Sequence, residues 1–319
     1  MSARTLERPD ATLTYWVEGP QHAQHAPTVL LLHGATLDHH AWQPQVRDLR
    51  ERYRVVTTDL RHHGESTASG TFRFHDAVDD VLALLDVLRP GSLALVGLSL
   101  GGNIAQEVVR RVPDRVDALV VADATSNSAA RLPAQRIAAL AAVRPLAWYP
   151  RWLFLRAAER VTAREPEARH YVRETTAAMP QSTAVGVLTS LLSDALSVEP
   201  EYRLPVPTLI VHGADDRVGD IAVGARRWVR RDPRTELVVI PSASHLSNLD
   251  APQAFTDALH DFLDRVLPPE VDRIDEAAGP LRRLHRSARA WWAARRRALA
   301  GVVRRWRRSA RAGRAGRHS

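Results

Sequence analysis

A hydroxyl, an imidazole and a carboxylate can together turn a weak alcohol into a nucleophile, and the chain offers each in a suitable setting. Gly97-Leu98-Ser99-Leu100-Gly101 follows a short apolar run and opens a helical pattern, with Gly102 extending the small-residue stretch. A sharp strand-to-helix turn of this composition lifts the serine hydroxyl above a sheet edge. It also sets the hydroxyl at a helix N-terminus, where free amides and the helix dipole favour negative charge. Such a serine needs a base, because its hydroxyl is a poor nucleophile at neutral pH. His245 follows the apolar run Glu236–Ile240 across the short loop Pro241–Ser244 and is the candidate base. A carboxylate must then hold the imidazole in the correct tautomer. Asp215 and Asp216 end the run Thr208–Gly213, and Asp123 ends the run Ala118–Ala122. Adjacent residues cannot both face one histidine, so one of these three acids is the partner.

The elements that must position these groups are legible from hydrophobic patterning. Thr28–His33, Arg54–Asp59, Leu93–Gly97, Ala118–Asp123, Thr208–Gly213 and Glu236–Ile240 are short, nearly continuous apolar or β-branched runs, as expected for strands buried on both faces. Helical patterns separate them at Phe74–Leu88, Gly101–Val112, Ala222–Arg231 and Pro252–Val266. Strand and helix in alternation predict an α/β fold with a parallel sheet covered on both faces. Ala11–Glu18 reads as an antiparallel edge strand. The segment 126–200 breaks the alternation with alanine-, arginine- and tryptophan-rich helices. An insertion there would lie over the carboxyl ends of the strands, where such sheets bind ligands. The expected organisation is a core over 1–125, a helical cap over 126–200, the rest of the core over 201–268, and a tail over 269–319.

These motifs resemble the α/β-hydrolase superfamily over about Ala11–Leu267. His245-Leu246-Ser247-Asn248-Leu249 followed by Ala251-Pro252-Gln253-Ala254-Phe255 is similar to 3-oxoadipate enol-lactonases and related small esterases. The order serine, acid, histidine is that of this superfamily. The resemblance implies an α/β-hydrolase fold with a mostly parallel eight-stranded sheet. It also implies an acid three residues after Gly213, which selects Asp216 and leaves Asp215 in a turn. The residue after the nucleophile gives one oxyanion-hole amide, here Leu100. His33-Gly34-Ala35 matches the family's His-Gly-x loop and implicates the Ala35 amide as the second donor, with His33 bracing the loop and Trp42 packing behind it. Glycine is common in the family where Ser244 stands here. Asp59-Leu60-Arg61-His62-His63-Gly64-Glu65-Ser66 resembles the family's structural D-x-R-G-x-G-x-S loop, with His62 in place of the first glycine.

Composition narrows the remaining classes. There is no cysteine, which excludes disulfides and thiolate metal sites. His39, His40, His62 and His63 match no standard zinc spacing, so neither metal nor cofactor is expected. No apolar run is long enough to cross a bilayer and the first residues have no secretory pattern, which predicts a cytoplasmic protein. The net charge of +8 hides an asymmetry: 14 of the 44 basic residues follow Glu276, leaving 30 basic against 36 acidic before it, a net of −6. All basic residues are arginine. Leu281, Leu284, Ala288, Trp291, Ala298, Val302 and Trp306 recur at helical steps among those arginines. Such a tail reads either as a disordered arginine-rich extension or as an amphipathic helix. As a helix it could pack against the body or a partner, or bind an anionic membrane surface, which it would suit better than nucleic acid and which would make the protein peripheral to the membrane.

The expected activity is metal-independent hydrolysis of a small carboxylic ester or lactone through an acyl-enzyme. Trp148, Trp152, Phe154 and Leu155 of the cap are candidate substrate contacts. Carbon–carbon bond hydrolysis and perhydrolase chemistry could use the same triad, and a ligand receptor that keeps the triad with no turnover or slow turnover is the alternative from another class. Epoxide hydrolase and haloalkane dehalogenase chemistry would need an aspartate where Ser99 stands. The sequence does not specify an oligomeric state.

Overall fold

Alternate residues of the buried strands sort onto opposite faces of one sheet, the period-2 consequence of the β backbone. The structure is a computed structural model that describes residues 2–20, 26–129, 133–195 and 201–267. All of these belong to a unit spanning Met1–Pro269; the second unit, Glu270–Ser319, and with it the basic tail, lies outside the described residues.

The strands are β1 (Arg4–Arg8), β2 (Ala11–Glu18), β3 (Thr28–Leu32), β4 (Arg54–Thr58), β5 (Thr67–Ala68), β6 (Leu93–Leu98), β7 (Ala118–Ala122), β8 (Thr208–Gly213) and β9 (Thr235–Ile240). They form a nine-stranded sheet in the order β1-β2-β4-β3-β6-β7-β8-β9, with β5 paired to β2. Pairing is parallel from β4 through β3 and β6 to β9, and antiparallel where β2 meets β1, β4 and β5. Eight strands make the main path; the two-residue β5 is the ninth. β2 is not the edge expected of it, because β1 covers its outer side. The β1 sequence RTLER is mostly exposed and charged, a composition edge strands tolerate and periodicity does not reveal.

Two helical layers cover the sheet. Leu30, Leu32, Leu95, Val121 and Ile210 face α2 (Phe74–Leu88), α3 (Leu100–Arg111) and α8 (Ile221–Arg231) in one buried cluster. Val29, Leu31, Val96, Val120, Leu209 and Val211 face α1 (Gln43–Leu49) and α10 (Pro252–Val266) in the other. Trp42 is fully buried there and packs against Phe255, with ring centroids 5.9 Å apart. Between β7 and β8 the described residues form α4 (Pro133–Val143), α5 (Arg151–Thr162), α6 (Pro166–Ala178) and α7 (Gln181–Ser190), the last running into a π-helical turn at Leu191–Ala195. The short α9 (Ser247–Asp250) precedes α10. No helix among the described residues is long and apolar enough to cross a membrane.

Register aligns the strand ends. Leu32 is opposite Gly97, Leu98 opposite Ala122, Ala122 opposite Val211, and Gly213 opposite Ile240. The residues just past these positions, His33, Ser99, Asp123 and the β8 and β9 loops, therefore emerge along one rim. The β6–α3 turn can sit so close to β3 only because residue 101 has no side chain: a Cβ there would lie 2.2 Å from the Leu32 carbonyl oxygen and 2.7 Å from that of His33. Gly101→Ala is expected to cost more than about 3 kcal/mol, since backbone atoms would have to move. A urea titration monitored by tryptophan fluorescence measures this, and an unchanged midpoint would show that β3 can yield.

Candidate active site

The turn from β6 into α3 holds Ser99 at φ 51° and ψ −114°, a backbone region that a residue with a side chain rarely occupies. Its amide donates to the Ala122 carbonyl at 2.8 Å, and its own carbonyl accepts from the Asn103 amide at 3.1 Å, so the strand ladder passes directly into the helix. A Cβ on Gly97 would lie 2.3 Å from the Gly101 carbonyl oxygen. Both glycines of the motif are thus required by close approach of strand and helix.

The hydroxyl so presented meets an imidazole. Ser99 Oγ lies 2.9 Å from His245 Nε2, and His245 Nδ1 lies 3.1 Å from Asp216 Oδ2. A carboxylate can only accept, so Nδ1 carries the proton and Nε2 is left as the acceptor for the serine O–H. The Asp216 side chain is wholly buried, and its Oδ1 accepts from the Val218 amide at 2.8 Å. Burial pushes the His245 pKa down, but the hydrogen bond and charge of Asp216, aided by Asp123, outweigh it and leave the pKa raised above 6.5. Of the adjacent carboxylates, Asp215 points away: it pairs with Arg164 at 2.5 Å in a half-exposed ion pair.

Asp123 is the acid whose placement could not be read from pattern alone. It does not bond His245 directly. It receives the Gly213 amide at 2.9 Å, the Ser247 amide at 3.1 Å and the Ser247 hydroxyl at 2.5 Å. Burial pushes its pKa up to about 7; nearby His245 and the hydrogen bonds from Ser247 and Gly213 oppose the rise, while Asp216 adds to it. Asp123 therefore clips the loop that carries the imidazole to the start of the loop that carries Asp216. Its position at a strand's carboxyl end was the available signal.

Leu100 is the first residue of α3, where amides lack acceptors within the helix. The β3 loop that bears Ala35 is drawn close to the elbow, since a Cβ on Gly34 would lie 3.5 Å from Ser99 Cβ. His33 is fully buried and holds this loop in shape. Its Nε2 accepts from the Leu60 amide at 3.0 Å, so Nδ1 bears the proton and donates to the Gly34 carbonyl at 2.8 Å. Burial outweighs the Asp59 charge and lowers its pKa, which keeps the ring neutral. In the neighbouring loop, His62 stands at φ 65°, a conformation that favours glycine. Asp59 leaves no room for a side chain at Gly64, where a Cβ would lie 2.1 Å from its Oδ2. Asp38, His39 and His40 bring possible metal-ligand atoms within 4.8 Å of one another. The His39 ring, however, is committed to Asp59 and stacked on Trp16.

A cavity of about 350 Å³ opens over Ser99 and His245. Asn103, Gln135, Leu191, Leu192, Val218 and Ile221 contribute to its wall. The expected contacts Trp148, Trp152, Phe154 and Leu155 do not. Trp148 and Trp152 are largely exposed, and Phe154 is buried in a small cluster with Met179, Ala184 and Val185, against which Leu155 packs. Helical periodicity marks a residue as apolar and facing, but not whether it faces a neighbour or a void. The actual wall residues carried little signal, because Leu191 and Leu192 lie in a π-helical turn and Val218 in a loop.

Residues 27–252 match the family model described as alpha/beta hydrolase fold. The chain belongs to this family. Among its relatives, 3-oxoadipate enol-lactonase 1 of Acinetobacter baylyi is 26% identical over 276 residues, covering 83% of this chain and 98% of the relative. A pimeloyl-[acyl-carrier protein] methyl ester esterase of Chromobacterium violaceum is 30% identical over 250 residues, covering 75% of this chain and 94% of the relative. The crystal structure of a hydrolase from Pseudomonas aeruginosa superposes with a TM-score of 0.69 at 27% identity, covering 82% of this chain and 98% of the other.

If His245 takes the serine proton, activity must fall as pH drops through its pKa. The acid limb of kcat/KM is expected at an apparent pKa above 6.5. Asp216→Asn should move that limb downward, because it removes the charge that favours imidazolium, and should lower the plateau about 10³–10⁴-fold. An unmoved limb would separate Asp216 from the titrating base.

Proposed function

We propose that this alpha/beta hydrolase cleaves a small carboxylic ester or lactone through an acyl-enzyme on Ser99. The observation that carries the reading is the unbroken hydrogen-bonded line from Ser99 Oγ through His245 to buried Asp216. As the substrate carbonyl is attacked, His245 Nε2 takes the Ser99 proton and Asp216 holds the resulting imidazolium. His245 then protonates the departing alkoxide. In the second half, water gives its proton to His245 and attacks the acyl carbonyl, and the acid leaves as Ser99 regains its hydrogen.

The Leu100 and Ala35 amides are assigned to the oxyanion. Each such donor is worth about 3–4 kcal/mol of barrier. The inserted helices are assigned the role of a lid, over the span 126–200. Gln135 and Ala139 of α4, with Leu191 and Leu192, share the cavity wall with Ser99 and His245, which supports that assignment. The wall is mainly apolar on the lid side and carries Asn103, Asp123 and Asp220 on the core side. This suits a substrate with one hydrocarbon end and one polar end. Relatives named as a lactonase and as a methyl ester esterase support carboxylic esters and lactones as the substrate class.

The test is a panel of aryl esters, alkyl esters, lactones and β-diketones on wild type and Ser99→Ala. Turnover of esters or lactones is expected, with a loss of at least about 10³-fold in the variant. A fluorophosphonate should label Ser99 and no other residue. Undiminished activity in Ser99→Ala, or turnover of diketones alone, would overturn the reading.

A further inference from the structure

A second concave site borders the loops after β8 and β9 and shares no wall residue with the cavity at Ser99. It is an open depression of about 550 Å³, and Arg160, Arg164, Arg169 and Arg217 contribute to its wall beside Asp215 and Ser244. Four guanidinium groups against one carboxylate give this wall a net charge of +3. That concentration is not a reflection of the surrounding chain, since residues 1–276 carry −6 overall.

The arginines are only partly satisfied. Arg164 pairs with Asp215 at 2.5 Å, and Arg169 Nε donates to the Ala163 carbonyl at 2.9 Å, which orients its fork. The guanidinium groups of Arg160 and Arg217 make no hydrogen bond or close ion pair among the described residues, and the charge of Arg160 acts on Glu159 only at longer range. Like charges gathered in a concavity repel one another and raise the local concentration of counter-ions. Guanidinium forks match the paired oxygens of phosphate and carboxylate groups.

The backbone around the site is held in place. The Asp250 carboxylate accepts the amides of Arg164 at 2.9 Å, Glu165 at 2.9 Å and Ser244 at 2.8 Å, and the Leu246 amide donates to the Thr162 carbonyl at 3.0 Å. The connection between α5 and α6, which carries Arg164, is thereby fastened to the His245 loop; Arg160 stands at the end of α5, Arg169 on α6 and Arg217 on the loop after β8.

We propose that this pocket binds a small polyanion bearing phosphate or carboxylate groups, at a site distinct from the one at Ser99. The occupant bridges Arg160 and Arg217 and competes with Asp215 for Arg164. It sits one residue from His245, through Ser244, and one from Asp216, through Asp215 and Arg217.

Isothermal titration of the full chain with pyrophosphate and, separately, with citrate tests this, against sodium chloride at equal ionic strength. One site of sub-millimolar affinity for at least one anion is expected. Tighter pyrophosphate binding would identify a phosphate-bearing ligand and tighter citrate binding a polycarboxylate. The double variant Arg160→Gln, Arg217→Gln should weaken binding at least about tenfold. Enzyme labelled at Ser99 by fluorophosphonate should bind as wild type does. The proposal fails if neither anion binds more tightly than chloride, if the double variant binds undiminished, or if labelling Ser99 abolishes binding.

Discussion

One strained residue organises this molecule. Ser99 occupies a left-handed backbone region at the point where β6 becomes α3, a conformation that costs about 1–3 kcal/mol and persists only if its surroundings over-determine it. They do so from three sides. The Ala122 carbonyl holds the serine amide, the Asn103 amide holds the serine carbonyl, and the backbone of β3 presses on Gly101. The result is a side chain with no freedom to retreat into the sheet, standing over amides at the start of a helix. The His33-Gly34 loop and the loops after β8 and β9 then have a fixed point to be arranged around.

The imidazole sits on the connection between β9 and α9, residues 241–246, which has no such rigidity of its own. Two buried or largely buried carboxylates that do not contact the imidazole supply it. Asp123 receives donors from Gly213 and Ser247, and Asp250 receives donors from Ser244, Arg164 and Glu165. Together they grip the loop on both sides of His245. A buried carboxylate is costly unless several donors meet it, and here the amides of Ser244 and Ser247 meet that requirement together with those of Gly213, Arg164 and Glu165. Charge solvation and loop positioning are accomplished by the same bonds.

The parts of this arrangement that were legible in sequence are those enforced by local composition. The glycines flanking Ser99, the apolar runs of the parallel strands and the helices at Phe74–Leu88 and Pro252–Val266 follow from backbone sterics and periodicity. The choice of Asp216 over Asp215 rested on family spacing; the physical discriminator is that Asp215 has an arginine partner 51 residues away in the chain. The cavity wall was not legible. It is assembled from α4, a π-helical turn and the loop after β8, whose apolar residues differ in no local way from those that pack into the core. Trp148 and Trp152 were conspicuous for size and aromaticity, and those properties say nothing about which side of an inserted helix turns inward. The strand β1 escaped notice because an edge strand can be charged.

The two acids nearest the imidazole divide their work by the kind of donor each faces. Asp216 meets donors that cannot reverse: the Val218 amide and, in the resting tautomer, the Nδ1–H of His245. Both of these bonds ask it only to accept. Asp123 also meets two amides, but its third partner is the Ser247 hydroxyl, which can turn from donor to acceptor. A proton can therefore reside on Asp123 without breaking its grip on the loop. An ionised Asp123 favours imidazolium at His245, and an imidazolium favours ionised Asp123. The loop is thus held whether or not Asp123 carries a proton, so positional order at His245 does not require a fixed charge on every carboxylate that provides it.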